Sequence, residues 1–241
     1  MSSTIATKLN SIHERIANAA QQAGRDPASV TLVVVTKTHP PALVAAAVAA
    51  GARDLGENRV QEALNKINAL AELTPAPRWH LIGHLQRNKA RLAATHFGLV
   101  HSVDSLRLAE ALARHVPSGQ RLPILLQFNV SGEASKEGFT LAGGASNRPA
   151  LEALLPELER IVALPSLAVH GLMTIAPLAD DPEAARPHFR TLRELRDELA
   201  RCFPQATWRE LSMGMSDDFT VAISEGATIV RLGRAILGGR Q

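Results

Sequence analysis

Residues 30–36 read VTLVVVT and run straight into Lys37, Thr38, His39 and two prolines. Seven β-branched or apolar positions in succession suit a parallel strand covered on both faces, as in folds where helices lie over a sheet. Pro40 and Pro41 open an alanine-rich helix over 42–50, where proline is tolerated in the first turn, and Gly51 closes it.

Outward from this unit the alternation repeats. Strands are predicted at 30–36, 54–57, 79–82, 99–103, 122–130, 167–173, 208–212 and 228–232, and helices at 1–23, 42–50, 60–73, 86–94, 105–113, 150–163 and 182–201. The 241 residues show no internal repeat and no low-complexity linker. Eight strands in that length fit a single (β/α)8 TIM-type barrel over residues 1–241 with an extra N-terminal helix, a doubly wound open sheet being the competing α/β arrangement.

Hydrophobic residues at 46% and charged residues at 20% exclude disordered and disulfide-scaffold classes. The one cysteine, Cys202, cannot form an internal disulfide, and residues 1–23 lack the apolar core of a signal peptide, so a reducing cytoplasm is the expected setting. Cys202 itself is expected to pack at the apolar side of a helix end. No apolar run reaches the ~20 residues of a membrane span. The net charge is +3, but basic residues are interleaved with 23 acids and aromatics are only 3%, which argues against nucleic acid as a partner. The absence of tyrosine removes a set of acid–base mechanisms.

Chemistry in such a barrel gathers at the carboxyl ends of the strands. Lys37 ends the first strand, where it either snorkels to solvent or presents an amine of lowered pKa for Schiff-base chemistry. At the far end, residues 211–216 (LSMGMS) and 230–234 (VRLGR) follow the last two strands, the usual place for a phosphate site. Asp217 and Asp218 would repel a phosphate and are expected to point away. Glu57, Asn58, His80, His84, His101, Ser102, Asn129, His170, Met173 and Thr174 sit at or near other strand ends. His80 and His84 span a strand and a turn, a spacing that does not suit a metal, and none is expected. The loop carrying Lys136 (SGEASKEG) reads as solvated and mobile, with a cation able to gather anions.

Together, VVVTKTHP, DLGENRVQE, WHLIGHLQRNKA, VHSVDS, SGEASKEGF, HGLMTIAP, LSMGMSDDF and IVRLGRAILG resemble, in order over residues 33–238, the pyridoxal phosphate homeostasis protein family, relatives of the N-terminal barrel of alanine racemase. The resemblance implies a pyridoxal 5′-phosphate (PLP) cofactor held as a Schiff base on Lys37. It implies that Arg231 faces the pyridine nitrogen, keeping it unprotonated and the ring a weak electron sink. Ser212, Met213, Gly233 and the next position match a phosphate cup, and Asn58, His80 and Met173 match residues lining the cofactor. That next position is Arg234, where the family usually has threonine or serine, so a hydroxyl contact is lost and the backbone N–H or the guanidinium must replace it.

The expected function is a PLP carrier or buffer in intracellular homeostasis, not an enzyme, acting as a monomer with PLP-dependent apo-enzymes as candidate recipients. Racemisation needs a second base, supplied in alanine racemase by a tyrosine from a further domain, and this chain has neither that tyrosine nor, ending at Gln241, that domain. A PLP-dependent racemase-like enzyme using His80 or His84, and a cofactor-free Schiff-base aldolase, are the alternatives.

Overall fold

The computed structural model describes residues 2–239. Its parallel strands are β1 (Thr31–Val35), β2 (Asp54–Glu57), β3 (Arg78–Leu81), β4 (Leu99–Val103), β5 (Leu122–Asn129), β6 (Phe139–Thr140), β7 (Leu167–Met173), β8 (Glu210–Ser212) and β9 (Ile229–Leu232). Eight of them close a ring in the order β1-β2-β3-β4-β5-β7-β8-β9, and β9 returns to β1. The pairings β4–β5 and β1–β9 exclude the open sheet. The two residues of β6 add to β5 outside the ring, a pairing too short to leave a sequence pattern.

The helices are α1 (Ser2–Gln22), α2 (Pro41–Ala49), α3 (Val60–Ala69), α4 (Ala90–His96), α5 (Leu106–Ala113), α6 (Arg148–Val162), α7 (Arg186–Cys202), α8 (Phe219–Ser224) and α9 (Arg234–Leu237). The helix expected over 86–94 begins as a 3-10 turn, Arg87–Lys89, and the one over 182–201 as Pro182–Ala185, with Pro187 in the first turn of α7. The seventh predicted strand starts late because Trp208 takes a positive φ of 49° and its indole N–H donates to Phe203 O at 2.8 Å.

Most of the buried apolar surface lies between wall and helices. In α1, Ile5, Leu9, Ile12 and Ile16 form a stripe of helical period, and the helix packs on α2, α8 and α9. Along α7 the stripe runs Phe189, Leu192, Leu195, Leu199 and on to Phe203. Phe203 takes the next core position, so Cys202 is exposed instead of packed as expected. The barrel interior holds a small apolar set, Val33, Leu99, Leu125, Met173 and Ile229, and, unusually for a core, the polar Asp54, His80, His101, Ser212 and Arg231. No helix among the described residues is long and apolar enough to cross a membrane.

Candidate functional site at the barrel mouth

Lys37 lies two residues past the end of β1 and is half-buried. The ladder continues one residue past the strand, Thr36 N–H donating to Gly56 O at 3.0 Å, and the Thr36 hydroxyl donates to the Glu57 carboxylate. Behind it stands a buried cation, Lys66 of α3, whose Nζ donates to Thr36 O at 2.7 Å, Glu57 Oε1 at 2.7 Å and Glu62 Oε1 at 2.8 Å. Burial pushes the Glu57 carboxyl up even with Lys66 and Thr36 bonded to it. Glu62 also accepts the backbone N–H of Thr38, a β-branched residue at φ 65°. The chain on both sides of Lys37 is therefore gripped by one helix. Lys66 was missed from sequence, although its place between Ala63 and Leu70 on one face of α3 was a signal.

Beneath the mouth a hydrogen-bonded chain crosses the interior. Arg231 donates to Ser212 Oγ at 2.6 Å and to Thr174 O at 2.9 Å; Ser212 Oγ meets His101 Nδ1 at 2.8 Å; His101 Nε2 meets His80 Nδ1 at 2.9 Å; His80 Nε2 meets Asp54 Oδ1 at 2.9 Å. Arginine can only donate and a carboxylate only accept, so Arg231 gives hydrogens to Ser212 and Thr174 at one end and His80 Nε2–H gives one to Asp54 at the other. Burial, with His80 and Arg231 nearby, holds His101 well below its ordinary value, so its neutral ring donates through one nitrogen and accepts through the other. Burial opposes ionisation of Asp54, but bonds from His80 and Arg78 win and hold its carboxyl low. Burial pushes Arg231 down to about 10, partly offset by Asp218. Among the described residues no carboxylate forms an ion pair with Arg231.

This chain separates the expected residues. Lys37, Asn58, Gly233 and Arg234 lie at the carboxyl ends of their strands, with Gly233 packed so closely on Val35 that an added Cβ would fall 3.1 Å from Val35 O. Met173 lies in the interior apolar set, paired across strands with Ser212. Ser212 turns its hydroxyl into the barrel, to His101 and Arg231. His80 lies lower still, lining a cavity of about 170 Å³ with Thr31, Arg78 and His170 at the amino-terminal end. Both His80 ring nitrogens are engaged, so it forms no pair with His84.

In the two far loops, Met213 N–H is spent on Ile229 O at 3.1 Å and Met215 N–H on Asp218 Oδ1 at 2.6 Å. Gly214 sits at φ 95°, where a Cβ would fall 2.6 Å from Ala222 Cβ, so only glycine fits this turn. Asp217 reaches across to Arg234, 2.6 Å away on the rim, so the guanidinium at the departing position is bound by a carboxylate from the facing loop.

A cavity of about 250 Å³ opens at the carboxyl ends of β2, β3 and β5, lined by Asn58, Gly83, His84, Gln127, Asn129 and Lys136. The 131–138 loop is solvated, as expected, and hydrogen bonds join it to the barrel. Asn129 donates to Glu133 O at 2.8 Å and accepts from Ser131 and Gly132, Gln127 donates to Glu137 O at 3.0 Å, and Lys136 Nζ donates to Ile175 O at 3.1 Å.

A closed parallel barrel with a lysine after its first strand and a buried arginine on its last is of the alanine racemase N-terminal domain class, whose family model matches residues 7–241. A pyridoxal phosphate homeostasis protein of Pseudomonas aeruginosa is 46% identical over 239 residues, covering 99% of this chain and 96% of its own length. One from Aquifex aeolicus is 41% identical, covering 97% of both. The chain belongs to the pyridoxal phosphate homeostasis protein family. PipY of Synechococcus elongatus, solved with PLP bound, superposes with a TM-score of 0.81 at 38% identity, covering 97% of this chain and all (100%) of that one. Alanine racemase of Clostridium difficile, at 14% identity and a TM-score of 0.70, shares the fold, this chain matching 56% of its length.

Proposed function

We propose that this protein binds PLP at the barrel mouth, with Lys37 as the covalent anchor, and serves cofactor homeostasis as a carrier, not as a turnover enzyme. The observation that carries the reading is Arg231: a buried cation with no carboxylate against it among the described residues calls for a ligand bearing a lone pair or negative charge. PLP offers a pyridine nitrogen and a phosphate, and when bound it supplies an aldehyde for an amine and an electron-withdrawing ring. Lys37 provides the amine, held by the grip of α3 on Thr36 and Thr38. Arg231 cannot accept a proton, so it favours the unprotonated ring and mutes that withdrawal, which suits retention over turnover. With Met213 and Met215 N–H already bonded internally, phosphate contacts fall to the neighbouring N–H groups of Gly214, Ser216, Gly233 and Arg234. Asn58 and Met173 complete the lining, while Ser212 holds Arg231 from below and His80 supports Ser212 through His101. The relatives named for PLP homeostasis, and PipY with PLP bound, support the reading. It has the chain acting in the cytoplasm as a monomer that passes cofactor to PLP-dependent apo-enzymes.

The test is borohydride reduction of the purified yellow protein followed by peptide mapping. The pyridoxyl label is expected on Lys37 and is lost in Lys37→Ala. Label confined to Lys66, Lys89 or Lys136 sinks the anchor, and a protein that stays colourless with added PLP returns the aldolase reading.

A further inference from the structure

The sequence spacing of His80 and His84 gave no metal site, but the fold assembles a different set. His84 after β3, Asp104 after β4 and Glu137 in the loop after β5 each offer one ligand atom, and the three atoms lie within 4.8 Å of one another. Asp104 Oδ2 is 3.2 Å and Glu137 Oε2 3.8 Å from the same ring nitrogen, His84 Nδ1. That nitrogen carries at most one hydrogen, so a protonated imidazole satisfies one carboxylate and leaves the other. Even the shorter contact exceeds the roughly 2.7–2.9 Å of a charge-assisted N–H···O⁻ bond. Donors on one tetrahedral ion with bonds of about 2.0–2.2 Å stand roughly 3.4 Å apart, between the two distances from His84 Nδ1.

The three donors are also held from behind. Ser102 Oγ donates to Gly83 O at 2.7 Å and fixes the turn before His84. Ser105 Oγ takes Asp104 Oδ1 at 3.2 Å, leaving Oδ2 for the cluster, and buried Gln127 anchors the Glu137 backbone. Such outer contacts orient metal ligands. His84 and Glu137 line the mouth cavity, so one side of the cluster opens to water or a small ligand. We infer that His84, Asp104 and Glu137 form a divalent transition-metal site on the rim of the barrel mouth. One imidazole nitrogen with two carboxylates selects Zn²⁺, Co²⁺ or Mn²⁺ over Mg²⁺ and Ca²⁺, which favour all-oxygen sets. The bound ion fastens the loops after β3, β4 and β5 to one another beside the cavity. This site shares no ligand with Lys37 or Arg231, so it stands or falls apart from the PLP reading.

The experiment is calorimetric titration of Zn²⁺ into the tag-free, chelator-treated full chain, with Co²⁺ followed by its visible absorption. One saturable site is expected, with Co²⁺ bands of a four- or five-coordinate ion, and binding at least tenfold weaker in His84→Ala and in Glu137→Gln. Glu137→Gln alters an exposed side chain, and metal-free melting curves of both variants check the fold. Absence of saturable binding, or binding left intact by both substitutions, overturns the site.

Discussion

At Ser212 one hydroxyl stands between a guanidinium and an imidazole, accepting from Arg231 at 2.6 Å and hydrogen-bonded to His101 Nδ1 at 2.8 Å. Ser212→Ala removes both bonds without removing volume elsewhere, leaving two buried polar groups unsatisfied, a cost of about 1–3 kcal/mol. Urea unfolding is expected to show that loss, and an unchanged midpoint means neither neighbour depends on the hydroxyl. Thr38, beside Lys37, is a different case: a β-branched residue at φ 65° is strained, with a typical cost of about 1–3 kcal/mol. Asparagine tolerates that conformation, so Thr38→Asn is expected to raise stability by about 1 kcal/mol while the Glu62 contact to its backbone persists. A lower melting temperature would place the value of Thr38 in its side chain instead.

Helix α3 works on the site through Lys66 and Glu62. Lys66 is buried against Glu57 and Glu62, and removing one member of a buried pair strands the other charge at about 3–5 kcal/mol, whereas replacing both by apolar groups is often neutral. Lys66→Met is therefore expected to destabilise by that amount and the double variant Lys66→Met with Glu57→Leu to recover most of it. If the double variant is as unstable as the single, the pair contributes something apolar packing cannot supply. The strand-helix alternation was legible because strands covered on both faces read as apolar runs such as 30–36. Lys37 and Arg231 stood out as charges at strand ends. The inward chain was not legible: whether Asp54, His80, His101 and Ser212 face inside is decided only when the barrel closes, and His101 and Ser212 lie 111 residues apart. Separation along the chain also hid the convergence of His84, Asp104 and Glu137 from three loops, and the ends of β8 and α7 moved with local turns at Trp208 and Pro187.

For the molecule as a whole, the buried ring of His101 ties stability to pH. His101 is held well below its ordinary value of 6.5 by burial, with His80 and Arg231 adding to the effect. Below pH 6.5 the unfolded chain takes up a proton at this position that the folded barrel does not, so the unfolded state binds more protons and stability rises with pH. It is lost as pH falls from 6.5, at up to about 1.4 kcal/mol per unit from this group. His39, His170 and His188, each pushed down first by burial, act with the same sign. Glu57, Asp104 and Asp218 are pushed up by burial and act with the opposite sign, above their ordinary values of 4.5, 3.8 and 3.8. To isolate the interior, wild type is compared with His101→Gln, which cannot titrate but keeps a polar group in the chain. The variant starts less stable at pH 7.5 because one bond of the chain is lost, and its deficit is expected to shrink steadily as pH falls toward 5.5, since only wild type pays the cost of keeping that imidazole neutral. Urea midpoints at intermediate pH values measure the gap. A gap that stays constant or widens on acidification means His101 takes up its proton in the folded barrel, and burial does not keep its ring neutral.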